Sequence, residues 1–289
     1  MSAEHQSPTP VAVSMVLGAI VSIQLGAAVA TELFSDIGAA GVVFARGALS
    51  AVILTLIFRP KYRVPKGQRK STFLYGVALA AMFLCFYESI DRIPLGTAVT
   101  LEFIGPLGVA VITSRQRRDL IWVALAAAGI LILGGGVGGE DLDPVGVVLA
   151  LLAGLSWGWY ILLGKKVGQE SKGTGNLAVA LAISAVITAP FGIYSGGTEL
   201  FDPRVLAICL LVAVLSSAIP LSLELEAMRR LPSNVFGVML SIEPAVAATI
   251  GFVVLSQAIV PAQMLAILLV ISASAGALWS SKAPPPIEP

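Results

Sequence analysis

Three charged side chains interrupt the apolar segments of this sequence. Arg46 lies in GVVFARGALSAVIL, Glu102 in PLGTAVTLEFIGPLGVAV and Glu243 in SIEPAVAATIGFVV. A guanidinium binds a carboxylate through two parallel N–H groups, and a buried carboxylate binds a cation or a proton. These three residues are therefore the first candidates for a binding site, and the segments that hold them decide what kind of site it is.

The composition indicates an integral membrane protein. Of the 289 residues, 57% are hydrophobic and 12% are charged, and the mean hydropathy is +0.92. About a quarter of the residues in soluble domains are charged, so a soluble fold of this length would lack the polar residues needed to cover its surface. The lipid bilayer is therefore the expected partner of most of the chain.

The residue types that many enzymes and metal sites need are scarce. The only histidine is His5, in the polar N-terminal tail, and the two cysteines, Cys85 and Cys209, lie in apolar segments. This excludes zinc clusters and Ser/His/Asp or Cys/His catalysis. No phosphate-binding G-x-x-x-x-G-K-[ST] motif occurs. No metal, cofactor or nucleic acid is expected, and any pumping must be driven by a gradient of an ion or a solute.

Hydropathy predicts an all-α protein with ten membrane-spanning helices and no soluble domain. A helix that crosses a hydrocarbon core of about 30 Å needs roughly 20 mostly apolar residues. Such segments cover residues 11–33, 38–58, 72–91, 94–114, 120–138, 144–164, 176–194, 204–225, 232–255 and 261–281. Fifteen lysines and arginines lie in the loops on one side, against Arg92 and Arg204 on the other. Basic loops stay cytoplasmic, so both termini, with tails 1–10 and 282–289, are predicted to be cytoplasmic.

The chain aligns with itself at an offset of 138 residues. Four residues then fall on identical ones: Glu88, Arg92, Pro94 and Pro106 on Glu226, Arg230, Pro232 and Pro244. The matches lie in spans 3–4 and 8–9, which predicts two repeats of five spans, residues 11–138 and 139–281. An odd number of spans inverts the second repeat in the membrane, a common plan of secondary transporters with the substrate site between the halves.

Two of the aligned prolines are predicted to kink their helices. Proline lacks the N–H that would serve the carbonyl four residues earlier, so Pro106 frees the carbonyl of Glu102 and Pro244 frees that of Leu240. Unpaired backbone at this depth is tolerated where it is buried in protein or faces a wet cavity. Spans 4 and 9 are therefore predicted to line a cavity, with a purely structural kink as the alternative.

The charged side chains are predicted to lie near the bilayer centre. At 1.5 Å per residue, Arg46 and Glu102 are about 12 Å into their spans and Glu243 is about 16 Å into its own. Each costs roughly 2.5 to 3.5 kcal/mol to insert and normally faces the bundle interior. A structural Arg46–Glu102 ion pair is one explanation. One arginine cannot neutralise two carboxylates, however, so Glu102 and Glu243 are both candidates for proton coupling.

Four further side chains are weaker candidates for substrate binding. They are Gln24 in span 1, Tyr87 near the end of span 3, and Trp157 and Tyr160 in the SWGWY segment of span 6. Aromatic rings with a polar end suit a ligand cavity, but in membrane spans they serve packing or the interface more often.

Several motifs resemble the EamA family of the drug/metabolite transporter superfamily. They are FARGAL around Arg46, FYESI followed by IPLGTAVTLEFIGPLGVAV, SWGWYIL, and LPSNVFGVMLSIEPAVAA in span 9. The LEF-x-GP and S-x-EPA motifs are similar to the branch of bacterial threonine/homoserine exporters, and the resemblance covers nearly the whole chain. It implies an efflux protein of the bacterial inner membrane for small amino acids or their analogues.

These observations predict an exporter that works by alternating access and is driven by protons or another gradient. Arg46 would hold the substrate carboxylate, and Glu102 and Glu243 would meet its ammonium group or a proton. A drug or metabolite efflux pump, or an uptake carrier, on the same fold is the first alternative. A membrane enzyme or scaffold and a channel are the others. The chain is expected to act as a monomer or a homodimer.

Overall fold

The structure is a computed structural model that describes most of the chain. It covers residues 10–58, 64, 66–113, 120–134, 142–170, 175–220, 223–224, 227 and 239–280. Across these ranges the chain is almost entirely helical, and they contain no strand. The prediction of an all-α protein is therefore confirmed for the described residues. The aligned residues Glu226, Arg230 and Pro232, and both tails, lie outside them.

The helices follow the apolar segments in chain order. Their bounds are α1 Pro10–Thr31, α2 Phe34–Phe58, α3 Arg69–Ile90, α4 Leu95–Glu102, α5 Ile104–Thr113, α6 Leu120–Gly134, α7 Pro144–Glu170, α8 Gly175–Gly196, α9 Pro203–Ala213, α10 Glu243–Leu255 and α11 Pro261–Ser280. A π-helical segment, Val214–Ala218, continues α9 directly. Short 3₁₀ turns at Lys66–Gln68 and Gly197–Phe201 precede α3 and follow α8.

Five of the described helical segments are long and apolar enough to cross a membrane. They are Pro10–Thr31, Phe34–Ile57, Lys66–Ile90, Pro144–Gly164 and Leu177–Phe201. Four shorter apolar segments accompany them: Leu95–Val109, Pro203–Ala218, Glu243–Leu255 and Pro261–Ala273. Each lies within one of the predicted spans or overlaps it. The count of ten spans, the inverted repeats and the cytoplasmic termini stay predictions.

Span 4 is not the continuous helix that hydropathy predicts. α4 ends at Glu102, Phe103 lies in a turn, and α5 begins at Ile104. The missing N–H of Pro106 cannot serve the Glu102 carbonyl, which explains a break three residues before the proline. In the second half, Ser241 and Ile242 form a turn and α10 begins at Glu243. At the 138-residue offset, Phe103 corresponds to Ser241, so both breaks fall at the same repeat position.

Glycines let four helices approach closely around the break in span 4. The backbone of Gly105 on α5 packs directly on that of Gly154 on α7, and a Cβ on Gly154 would lie 2.5 Å from the Glu102 carbonyl oxygen. On α4, a Cβ on Gly96 would lie 2.6 Å from the Cα of Ala248 on α10. Small residues allow such contacts between membrane helices. They fix α4, α5, α7 and α10 around Glu102.

This packing predicts that Gly154→Ala destabilises the protein. The new methyl group would collide with the Glu102 carbonyl, and overpacking of this kind costs about 1–3 kcal/mol. The thermal midpoint of the purified protein in detergent should therefore fall. Gly108→Ala on α5 is the matched control, because a Cβ there meets no atom within 4 Å. Equal midpoints for the two variants would contradict this description of the packing.

Candidate functional site

Arg46 is a fully enclosed cation at the centre of the bundle. It lies on α2 and is 1% exposed. The guanidinium carbon is 3.9 Å from the ring centroid of Phe83 and 5.3 Å from that of Tyr87, both on α3. Nη1 donates a hydrogen bond of 3.1 Å to Oγ of Ser217 in the π-helical segment. Two aromatic faces and one hydroxyl therefore hold the charge in place.

Two of the three guanidinium nitrogens of Arg46 have no hydrogen-bond partner among the described residues. These are Nε and Nη2, which lie on the same edge of the group. A guanidinium offers five donors in a fixed fork that matches a carboxylate, and a buried unpaired donor costs free energy. The structural Arg46–Glu102 ion pair is not formed in this conformation. An edge of this kind is suited to an anion that enters from outside the protein.

Glu243 is held by an amide on the first helix. Its carboxyl group is buried, and Oε1 accepts a hydrogen bond of 3.0 Å from Nε2 of Gln24 on α1. Oε1 of Gln24 is buried as well and has no hydrogen-bond partner among the described residues. Gln24 therefore orients Glu243 and leaves an acceptor oxygen beside it. A ligand with several N–H donors would find two acceptor groups here.

Glu102 faces the same region from the end of α4. The residue is 8% exposed. Helix contacts place it near Glu243: α4 and α10 cross at Gly96 and Ala248, and Leu95 N–H donates to Oε1 of Gln257 beyond the end of α10. The two helices therefore run antiparallel. The last residue of one and the first residue of the other lie at the same level.

Arg46 and Glu243 are connected through α1. Gln24, the hydrogen-bond partner of Glu243, is followed two residues later by Gly26, which contacts the side chain of Ser216, the neighbour of Ser217. Helices α1, α2, α3, α4 and α10 and the π-helical segment thus hold a buried cation and two buried carboxyl groups within one bundle.

The three aromatic candidates predicted from the sequence make different contacts in the structure. Tyr87 is buried beside Arg46. Trp157 packs edge-on against Phe103 at the break in span 4, with ring centroids 5.3 Å apart. Tyr160, one turn further along α7, instead stacks on Tyr75 at 4.9 Å. Tyr87 therefore adjoins Arg46, whereas Trp157 and Tyr160 both pack against the cluster of buried residues around Tyr75. The roles of all three stay predictions.

Three residues of this region were not among the candidates derived from the sequence. Phe83 and Ser217 contact Arg46, and Glu224 follows the π-helical segment that holds Ser217. A phenylalanine and a serine in apolar helices carry no distinguishing sequence signal. Glu224 does carry one, a carboxylate in LSLELE, but hydropathy places it at the end of a span, where a solvated charge is ordinary. Within the described ranges, no three His, Cys, Asp or Glu side chains are grouped as metal ligands.

A bundle of apolar helices that holds buried charges is an architecture expected of a membrane transporter. The chain belongs to the EamA-like transporter family, whose profile matches residues 144–279. This confirms the resemblance seen in the sequence motifs. The matched region coincides with most of the predicted second repeat.

Relatives with known names span nearly the whole chain. It is 41% identical over 283 residues to the threonine/homoserine exporter RhtA of Salmonella typhimurium, covering 97% of this chain and 96% of the relative. It is 43% identical over 274 residues to the protein of that name in Escherichia coli K12, covering 94% and 92%. An uncharacterized transporter of Bacillus subtilis, YwfM, is 26% identical over 239 residues, covering 78% and 80%.

A solved structure supports the arrangement of the helices. It is a crystal structure of a protein that aligns with 93% of this chain and 98% of its own length, with a TM-score of 0.59 and 16% sequence identity. At this identity the likeness shows the fold alone. The helix order described above therefore occurs in an experimentally determined structure.

The unpaired guanidinium predicts that Arg46→Met stabilises the empty protein. Methionine keeps the length of the side chain and packs well on Phe83 and Tyr87, and it removes a buried charge whose replacement by an apolar group can gain about 1–4 kcal/mol. The thermal midpoint in detergent should rise. Gln24→Met is the contrasting variant, because it removes the hydrogen bond to Glu243 and should lower the midpoint. A decrease for Arg46→Met would mean that Arg46 is a structural residue.

Proposed function

We propose that this protein exports small amino acids of the threonine and homoserine type from the cytoplasm, in exchange for protons. The observation that carries this proposal is the buried Arg46, whose Nε and Nη2 are unpaired, in the same bundle as the buried carboxyl groups of Glu102 and Glu243. The names of the Salmonella and Escherichia relatives support the substrate class. The bacterial inner membrane is the proposed location.

The site has one group for each end of an amino-acid zwitterion. The free edge of Arg46 would bind the substrate carboxylate through two parallel N–H donors. The substrate ammonium, with three N–H donors, would meet Glu243, Glu102 and the unpaired Oε1 of Gln24. Phe83 and Tyr87 would shield the Arg46 contact from water, which strengthens it.

Proton coupling follows from the number of charges in the site. Arg46 neutralises at most one of the two carboxyl groups, and charges in the hydrocarbon region are costly unless they are paired. A zwitterion adds no net charge, so with substrate bound its carboxylate pairs with Arg46, its ammonium group pairs with one carboxylate, and the other carboxyl group keeps a proton. Without substrate, a second proton takes the place of the ammonium group. Substrate and proton therefore compete for the same negative charge, which is the requirement for exchange of one against the other.

The two helix breaks suggest how the site changes access. Phe103 and Ser241 occupy equivalent repeat positions, and discontinuous helices of this kind meet at the substrate site of many transporters with inverted repeats. On the predicted outer side, Arg92 at the α3–α4 turn bonds to Glu88 at 3.2 Å and lies 3.9 Å from Asp143, before α7. We propose that this contact closes the outer side in the present conformation.

Transport of labelled threonine into preloaded proteoliposomes tests the role of Glu102. Glu102→Gln removes the charge and keeps the shape, so exchange should fall by about 10- to 100-fold, the loss expected for one hydrogen bond to a charged group. The exchange rate of the variant should also depend less on pH than that of the wild type. Glu199→Gln, on the exposed 3₁₀ turn Gly197–Phe201, is the matched control. Wild-type rate and pH dependence in Glu102→Gln would refute the role given to this residue.

The same assay tests the two-point contact at Arg46. Lysine keeps the charge but offers a single rotating ammonium in place of the planar fork. The KM for threonine should therefore rise by about tenfold or more in Arg46→Lys, as for loss of one charged hydrogen bond. Arg204→Lys is the control, since the Arg204 side chain is 70% exposed. An unchanged KM in Arg46→Lys would mean that the substrate carboxylate does not bind at Arg46 through two N–H donors.

If the protein instead carries drugs or other metabolites, the substrate panel will show it. Lipophilic cations lack a carboxylate, so they would exchange independently of Arg46. Their transport in place of threonine would establish the alternative function on the same fold.

A further inference from the structure

The π-helical segment Val214–Ala218 has a cause in the sequence that follows it. It lies in predicted span 8, two residues before Pro220. In a regular α-helix the ring of this proline would collide with the carbonyl group four residues earlier, that of Ser216. A π-helical turn closes its hydrogen bonds over five residues in place of four, so the helix can continue to Pro220 without that collision. Pro220 therefore accounts for the segment.

The π-helical segment deprives one carbonyl group, that of Leu215, of its usual partner in the helix. The N–H of Ile219, which would bond to this carbonyl in an α-helix, donates to the carbonyl of Val214 instead. In the π-helical pattern the donor would be residue 220, and proline has no N–H. An unpaired carbonyl group in the hydrocarbon region is costly. The Leu215 carbonyl therefore needs a donor from another helix.

Ser22 of α1 supplies this donor. Its Oγ donates a hydrogen bond of 2.7 Å to the carbonyl oxygen of Leu215, and the residue is buried. One turn further along the same face of α1, Gly26 lets the two backbones approach closely. A Cβ on Gly26 would lie 3.1 Å from the backbone nitrogen of Ser216. The π-helical segment is therefore held against α1 by a hydrogen bond and by a close backbone contact.

The hydrogen bond from Ser22 affects Arg46 through Ser217. Ser217 lies in the same π-helical segment, two residues after Leu215, and its Oγ accepts the hydrogen bond of 3.1 Å from Nη1 of Arg46. If the segment returned to α-helical bonding, its side chains would turn by up to about 100° around the helix axis. Ser217 would then no longer face Arg46. The orientation of Ser217 therefore depends on how the Leu215 carbonyl is bonded.

Ser217 in turn orients the guanidinium group of Arg46. The ring faces of Phe83 and Tyr87 attract the charge without a strict direction, whereas a hydrogen bond has a preferred angle. The bond from Nη1 to Ser217 thus sets the direction of the remaining edge, Nε and Nη2, which has no partner among the described residues. A binding group that is oriented in advance saves the cost of ordering it when the ligand arrives.

We propose that Ser22 is a positioning residue for substrate binding at Arg46. Its hydroxyl group holds the π-helical segment in the form that presents Ser217 to Nη1, and so keeps the free edge of Arg46 directed for a carboxylate. The same helix carries Gln24, which bonds to Glu243, so α1 positions a group for each end of the substrate. Ser22 itself touches no substrate. This inference rests on the amino-acid transport proposed above.

A double-mutant cycle on threonine exchange in proteoliposomes tests this role. Ser22→Ala should raise the KM for threonine by about 2- to 10-fold, as for loss of one neutral hydrogen bond, and should change the KM more than the maximal rate. Ser217→Ala should raise the KM by about tenfold or more, because its bond is to a charged group. The double variant should have the KM of Ser217→Ala alone, since Ser22 acts through Ser217.

Ser14→Ala is the matched control for this cycle. The Ser14 hydroxyl group lies on the same helix, is exposed, and bonds only to the nearby carbonyl of Val11. The KM of this variant should therefore equal that of the wild type. A serine-to-alanine change on α1 that raised the KM wherever it was made would overturn the specific role of Ser22.

Each further outcome also decides the proposal. An unchanged KM in Ser22→Ala overturns it, and so does a lower maximal rate at unchanged KM, which would mean a structural role alone. A double variant whose KM rises by the product of the two single increases would show that Ser22 acts independently of Ser217. If Ser22→Ala does not fold, Ser22→Cys keeps a similar volume with a weaker donor and should also raise the KM. A wild-type KM in Ser22→Cys would again overturn the role, whereas a wild type that exchanges no threonine would refute the proposed function itself.

Discussion

The structure is organised around a positive charge that the protein does not neutralise. Arg46 is fully buried, one of its nitrogens bonds to Ser217, and the other two have no partner among the described residues. Such a group costs stability, which is why we propose that a substrate carboxylate completes it. The buried carboxyl groups of Glu102 and Glu243 do not pair with it. A bundle that keeps unlike charges apart in this way suits a zwitterion as the proposed ligand.

Backbone breaks and glycine contacts keep the charges apart. Glu102 ends α4 and Glu243 begins α10, so each is fixed by the end of a helix and not by its middle. The crossing of Gly96 and Ala248 and the contact of Gly105 with Gly154 hold these ends in register. A movement of either half that changed these crossings would move a carboxyl group relative to Arg46. In the proposed transport cycle, these few contacts would link a change of access to a change of charge pairing.

Much of this fold follows from the sequence, because a bilayer allows few solutions. Apolar length predicts the helices, and the cost of a buried charge singles out Arg46, Glu102 and Glu243. Pro106 predicts a kink in span 4. The exact position of the break, at Phe103, also depends on contacts between helices, which cannot be read from the sequence. The partners of Arg46 could not be predicted from the sequence, where Phe83 and Ser217 look like ordinary packing residues. Only the packing of α2, α3 and the π-helical segment brings them against Arg46. Glu224 was missed because a carboxylate at the end of a span is ordinarily solvated and therefore does not stand out in the sequence.

Binding to the purified protein tests the central claim most directly. Calorimetric titration would compare L-threonine with its methyl ester, which lacks the carboxylate, and with 3-hydroxybutyrate, which lacks the ammonium group. If Arg46 and the carboxyl groups hold the two ends of the zwitterion, each analogue should bind about 10- to 100-fold more weakly than threonine, as for loss of a charged hydrogen bond. Equal affinity for threonine and its methyl ester would contradict the account, because the unpaired edge of Arg46 would then have no part in binding.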